Sequence, residues 1–224
     1  MMAALLLLLA LCPPPAPYVA FGDSITVGNL ASSPALGWAR VVASPWALDN
    51  RAEGGTVVAE QLGTIQAYGG GATVALWLVC ANDLRKGTPA EGFAATVQQG
   101  VDMLRGKGVE RVFLNGVCLP FPEIDPTLRA SYDAALATIH GATLVDIASG
   151  FLPSMFADGT HPNDAGHASI ARAFWGALHR RIYFPVAISA SRSRSAIPRP
   201  LAKYAVLWYT CSHQLLSIGI VPME

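Results

Sequence analysis

Ala72-Thr73-Val74-Ala75-Leu76-Trp77-Leu78-Val79-Cys80 is the stretch that decides the fold. Only Thr73 interrupts its apolar character. A strand with one face in water alternates polar and apolar residues, whereas a run this uniform is covered on both faces, as in a parallel sheet between helical layers. The flanks agree. Residues 56–68 are helix-like and close on Gly69-Gly70-Gly71, and residues 89–105 carry Phe93, Val97, Val101 and Leu104 at helical spacing before stopping at Gly106 and Gly108. Glycines at such positions end helices because only they enter the left-handed conformation cheaply.

The same alternation extends to both sides. A brief apolar run, 18–21, ends in Gly22-Asp23-Ser24, and a helix follows over 36–43 with Pro34 near its first turn. Beyond the central run, 111–118 reads as a strand, 126–140 as a helix and 142–147 as a last strand. Residues 164–181 form a helix that buries Ile170, Ala173, Phe174, Ala177 and Leu178. Strand then helix, repeated, predicts an α/β fold with a central parallel sheet and helices on both faces. Working residues in such sheets sit on loops that leave the carboxyl ends of the strands. Gly22-Asp23-Ser24, Glu53-Gly54-Gly55 and Asn82-Asp83 fall in those places.

Composition limits the function classes. Hydrophobic residues make up 52% of the 224-residue chain, enough to bury a core and to exclude a disordered chain. The formal net charge is zero with no basic stripe, so no nucleic-acid partner is expected. Cys12, Cys80, Cys118 and Cys211 match no metal-ligand spacing, and neither metal nor cofactor is expected. Buried free thiols are the expected state. A Cys80–Cys118 bridge stays open as the alternative, since each of the two ends an apolar strand. Trp38, Trp46 and Trp77 are expected in the core.

The chemistry starts at Ser24. A serine hydroxyl is a weak nucleophile until a neighbouring base takes its proton, and a sharp turn after a strand exposes its oxygen at the working edge of the sheet. Gly22 permits that turn. Thr26 stands where the Gly-x-Ser-x-Gly elbow has its second glycine, so this is a different turn. The partner is Asp158-Gly159-Thr160-His161-Pro162-Asn163. A carboxylate three residues before a histidine can bond the Nδ1 proton and leave Nε2 to accept from the serine. Asp164-Ala165-Gly166-His167 repeats the spacing, but His167 falls in the following helix, and the first pair is preferred. For the oxyanion of acyl transfer, Gly55 can offer a backbone N–H and Asn82 its side-chain amide. Asp23 and Asp83 are expected to organise their loops by hydrogen bonding.

Taken together, Phe21-Gly22-Asp23-Ser24, Gly55, Asn82-Asp83 and Asp158-x-x-His161 resemble the four ordered blocks of the SGNH (GDSL-type) hydrolases. The resemblance covers about 18–181. It implies a flavodoxin-like three-layer α/β/α sandwich and hydrolysis of carboxylic esters. It also implies Ser24 as nucleophile, Asp158 and His161 as its partners, and an oxyanion hole made by the Ser24 N–H, Gly55 and Asn82. The expected substrate is a small-molecule, lipid or carbohydrate ester; a carbohydrate O-deacetylase and an inactive binding domain are the alternatives. One departure stands out. The third block usually reads Gly-x-Asn-Asp, but here Cys80 takes the glycine's place, and its side chain is expected to crowd or tilt the loop carrying Asn82.

The ends differ from this central domain. Residues 1–17 hold a leucine-rich run too short to span a bilayer, and read as a candidate signal peptide that would send the protein to the periplasm or outside the cell, with a cytoplasmic protein as the alternative. Residues 182–224 include a Ser/Arg/Pro-rich stretch and then an apolar run broken by Thr210, Ser212, His213 and Gln214; they read as an unstructured tail without a membrane span.

Overall fold

In the computed structural model, residues 17–179, 206–207 and 220–221 are described. In chain order the elements are β1 (Tyr18–Gly22), α1 (Ser24–Val27), α2 (Trp38–Ala43), β2 (Leu48–Asn50), α3 (Val58–Ala67), β3 (Val74–Leu78), α4 (Ala81–Lys86), α5 (Ala90–Gly106), β4 (Arg111–Asn115), α6 (Pro126–Leu136), β5 (Thr143–Val145) and α7 (Asp164–Leu178). The five strands form one parallel sheet in the order β2-β1-β3-β4-β5. The first crossover therefore runs one way and the next three run the other. Right-handed crossovers then place α2 on one face and α3, α5 and α6 on the opposite face. The helix contacts agree, with α2 packed on α7, α3 on α5 and α5 on α6. This is the three-layer, flavodoxin-like order, and its topological switch lies between β1 and β3.

Strands β1 and β3 are buried along their whole length, as their apolar runs require. The amphipathic helix α5 turns Phe93, Val97, Gly100, Val101 and Leu104 inward. Gly100 is small for a reason: a Cβ there would lie 2.3 Å from the ring of Trp77. The Trp77 Nε1–H donates to Gln61 Oε1 at 2.7 Å, so its one polar atom is satisfied inside the core. Trp38 is likewise fully buried, whereas Trp46 is partly buried and stacks on Tyr18.

Several elements differ from the sequence reading. The strand expected over 111–118 ends at Asn115, and the helix expected over 126–140 ends at Leu136. Edge strand β2 was not anticipated, because Leu48 is its only apolar residue and Asp49 and Asn50 are exposed. Helix α4 occupies what read as a loop at Asn82-Asp83. Cys80 and Cys118 are joined in a disulfide with their Cα atoms 5.8 Å apart, which overturns the expectation of free thiols for this pair. The two residues follow the carboxyl ends of neighbouring parallel strands, β3 and β4. Cys12 and Cys211 lie outside the described residues.

The candidate signal segment also lies outside the described residues apart from Pro17. Of the tail, Val206–Leu207 and Ile220–Val221 are described and pair antiparallel. Among the described residues, no helix is long and apolar enough to cross a membrane.

Gly22, at the end of β1, sets the turn into α1 with φ +143°. A Cβ at this position would stand 2.3 Å from Thr26 Oγ1 and 2.7 Å from the Leu78 carbonyl oxygen. The carbonyl belongs to the neighbouring strand and cannot yield. Gly22→Ala is therefore expected to cost about 2–4 kcal/mol, combining backbone strain with overpacking. Urea unfolding of the two proteins measures it, and an unchanged midpoint would contradict this account of the turn.

Candidate active site

Asp23 begins the site. Its Oδ1 accepts the Ile25 N–H at 2.9 Å and caps α1, so Ser24 becomes the first residue of that one-turn helix. Gly28, at φ +98°, closes the turn by donating its N–H to the Ser24 carbonyl. The Ser24 hydroxyl is thus held at the carboxyl end of β1, beside the switch point of the sheet.

His161 arrives from the loop before α7. Phe156 and Pro162 form an antiparallel bridge, and the Ala157 N–H donates to the His161 carbonyl at 2.8 Å, which closes the loop. Gly159 makes the bend at φ +85°. Asp158 Oδ1 accepts the backbone N–H groups of Thr160 at 2.9 Å and His161 at 2.7 Å, while Oδ2 stands 2.8 Å from His161 Nδ1. The His161 backbone bond is the main cause that holds the Asp158 carboxyl down to about 2. An ionised carboxylate at Nδ1 keeps the ring proton there and leaves the Nε2 lone pair free. His161 Nε2 lies 3.0 Å from Ser24 Oγ. Ser24, His161 and Asp158 are therefore brought together in one line of hydrogen bonds.

The competing Asp-x-x-His pair does not form such a line. Asp164 accepts from the N–H and hydroxyl of Ser32, at 2.7 and 2.6 Å. His167 is completely buried; its Nδ1 accepts the Trp38 N–H at 3.4 Å and its Nε2–H donates to the Asn29 carbonyl at 3.1 Å. Burial pushes this imidazole below its ordinary value and keeps it neutral.

The remaining expected residues converge on the same edge. The loop 53–56 runs against the serine, since a Cβ built on Gly54 would lie 3.7 Å from Ser24 Cβ. Gly55 follows at φ +81°. Neither the Ser24 N–H nor the Gly55 N–H has an acceptor among the described residues. Asn82 lies in the first turn of α4, and its Nδ2 donates to Asp23 Oδ2 at 3.2 Å and to the Thr56 carbonyl at 3.0 Å. Asp23 thus ties the serine turn to Asn82, and its burial raises its carboxyl to about 6. Asp83 accepts the Val58 N–H at 3.0 Å, fixing the start of α3.

Three contributors were missed in the sequence. Thr56 supplies the carbonyl that holds the Asn82 amide. Arg85 donates from its guanidinium to Thr160 Oγ1 at 3.1 Å and to Glu123, and lies 4.3 Å over the Phe121 ring, so it joins α4 to the His161 loop. Once α4 is known to be helical, Arg85 follows from Asn82 at i+3 on the same face. Asn115, fully buried at the end of β4, accepts the Val79 N–H at 2.8 Å. A lone amide closing an apolar strand is the signal that could have found it.

Solved structures with this fold include a lipolytic protein of the G-D-S-L family from Veillonella parvula, at 20% identity and TM-score 0.59, covering 70% of this chain and 94% of that one. An acetyl xylan esterase from Geobacillus stearothermophilus aligns at 18% identity and TM-score 0.58, over 75% of this chain and 97% of the other. The esterase EstA from Pseudoalteromonas sp. aligns at 16% identity and TM-score 0.59, over 74% and 97%. No curated protein matches the chain. At these identities the structures speak for the fold alone, but the family model of the GDSL-like lipases and acylhydrolases matches residues 20–169, well over half of the sequence. The residues that gather at the carboxyl edge of β1 and β3 lie within that match, and the chain belongs to the GDSL-like lipase/acylhydrolase family.

Proposed function

We propose that this protein hydrolyses carboxylic esters through an acyl-enzyme on Ser24. The observation that carries the reading is the line Ser24 Oγ, His161 Nε2, His161 Nδ1, Asp158 Oδ2, with its contacts of 3.0 and 2.8 Å. As Ser24 Oγ attacks the ester carbonyl, His161 Nε2 takes its proton, and the Asp158 carboxylate stabilises the imidazolium. His161 then protonates the leaving alcohol. In the second half, water attacks the acyl-enzyme with His161 again as base, and the carboxylic acid departs.

The negative charge that develops on the carbonyl oxygen needs fixed donors. The N–H groups of Ser24 and Gly55, which have no acceptor among the described residues, supply two. Asn82 supplies the third by giving up its bond to the Thr56 carbonyl, a neutral acceptor that an oxyanion outcompetes because charge-assisted hydrogen bonds are the stronger. Asp23 keeps hold of the other amide proton, which limits how far the Asn82 side chain can swing.

Covalent catalysis of this kind gives a stoichiometric burst of p-nitrophenolate when deacylation is slower than acylation, and a nucleophilic serine reacts with fluorophosphonates. The expected result is turnover of p-nitrophenyl acetate together with a phosphonyl adduct on the peptide containing Ser24, located by mass spectrometry. An adduct on a different residue, or a folded protein without turnover or adduct, would refute the reading. A series from acetyl to long acyl chains then separates an O-deacetylase, which loses rate beyond acetyl, from a lipid esterase.

A further inference from the structure

Cys80 turns the chain out of β3 and into α4, and its backbone stands at φ +104° and ψ −46°. Among the described residues, only Leu30 and Cys80 combine a side chain with a positive φ. Leu30, at 62°, has a φ within the range of the left-handed region that L-residues visit. Cys80 lies outside that region, where a side chain persists only if its surroundings over-determine it. What surrounds Cys80 is a buried anchor. Its Sγ is bonded to Cys118, and the Cys118 N–H donates to Asp133 Oδ1 on α6 at 2.7 Å. Asn115 holds the preceding residue, since it accepts the Val79 N–H and donates to the Val79 carbonyl at 3.3 Å. Two residues beyond Cys80 stands Asn82. Any rotation about Cys80 swings the first turn of α4 and carries that amide with it.

We infer that the Cys80–Cys118 disulfide is a positioning element of the active site: it holds residue 80 in a glycine-like backbone state and thereby keeps the Asn82 amide aimed at the reacting carbonyl. The inference rests on the reading of Asn82 as an oxyanion donor. The bridge touches no substrate and takes no part in the chemistry. The Cys80 side chain is committed to its bond with Cys118.

Cutting the bridge lets residue 80 relax towards negative φ whenever it carries a Cβ. The amide then drifts from a charge that exists only in the transition state, so the loss falls on kcat and leaves KM nearly unchanged. Glycine has no such preference and can keep the turn without the bridge. A disulfide that served stability alone would behave otherwise: its removal would lower the unfolding midpoint, and kcat per folded molecule would not depend on the residue at 80.

The test compares two full-length proteins that both lack the bridge and differ only at residue 80, Cys80→Ala/Cys118→Ala and Cys80→Gly/Cys118→Ala. Kinetics are measured with p-nitrophenyl acetate, and active enzyme is titrated with a fluorophosphonate. The alanine pair is expected to lose about tenfold or more in kcat, up to the about 10²–10³-fold worth of one oxyanion donor. Its KM should stay within about twofold, and the glycine-containing pair should recover at least about tenfold over it. If the alanine pair does not fold, wild-type protein reduced under native conditions takes its place, with bridge opening counted by thiol labelling. Equal kcat in the two proteins, or an effect carried by KM, overturns the inference. Asn82→Ala is run alongside and should itself lose about 10²–10³-fold. If it keeps the wild-type kcat, the oxyanion reading fails and the inference with it. If it loses activity while the two bridge-less proteins agree, only the positioning role fails.

Discussion

Ser24→Ala is expected to lower kcat for p-nitrophenyl acetate by roughly 10⁴–10⁶-fold, because removing the nucleophile of such an array leaves only binding and oxyanion assistance. Stability should hardly move, by about 0.5 kcal/mol or less. The side chain makes one hydrogen bond, to His161 Nε2, and takes no part in capping α1. That cap comes from Asp23, and the backbone carbonyl of Ser24 that receives Gly28 and Asn29 survives the substitution. Alanine is also a good residue for the first turn of a helix. Steady-state kinetics combined with urea unfolding measure both effects. A folded alanine variant that turned over ester at the wild-type rate would remove Ser24 from the mechanism.

The legible part of the fold was the part buried on both faces. β1 and β3 have no solvent side, so their residues are apolar without alternation, and the periods of α5 and α7 follow from one buried stripe each. Edge strand β2 left no mark, since three residues with a single half-buried Leu48 cannot show a period. Helix α4 was hidden for a similar reason. Its six residues are fewer than two turns, and polar Asn82-Asp83 reads as loop in isolation.

In the site, the short Asp158–His161 contact could be read from residue spacing, whereas the pairing of Ser24 with His161 across 137 residues was expected only from complementary chemistry and the four ordered blocks. Asp158 and His161 meet across one tight turn, so their spacing already states the contact. The bond from Asn82 to Asp23 spans 59 residues, and nothing local encodes it. The disulfide between Cys80 and Cys118 needs the knowledge that β3 and β4 are neighbours, which only the strand order supplies. The ordered blocks name the members of the site, whereas the contacts that tie its loops together, Asn82 to Asp23 and Cys80 to Cys118, are fixed by which strands adjoin.

His161→Ala and His167→Ala should separate activity from stability in opposite directions. The His161 ring is about one-fifth exposed, and its loop is closed by backbone bonds from Ala157 and to Asp158 that alanine retains. Its loss should therefore cost roughly 10⁴–10⁶-fold in kcat and little stability, since the proton on Ser24 Oγ then has no acceptor. His167 is fully buried, and removing it leaves the Trp38 N–H and the Asn29 carbonyl without their partner and opens a cavity under α7. That combination should cost about 2–4 kcal/mol of stability. Its kcat, referred to folded protein, should change only through small shifts of the 29–38 segment, within roughly tenfold. Kinetics and unfolding on both purified variants therefore give four numbers with a crossed pattern. The reverse result, with His167→Ala the slower enzyme and His161→Ala the less stable protein, would move the general base to His167 and leave the line from Ser24 to Asp158 as packing.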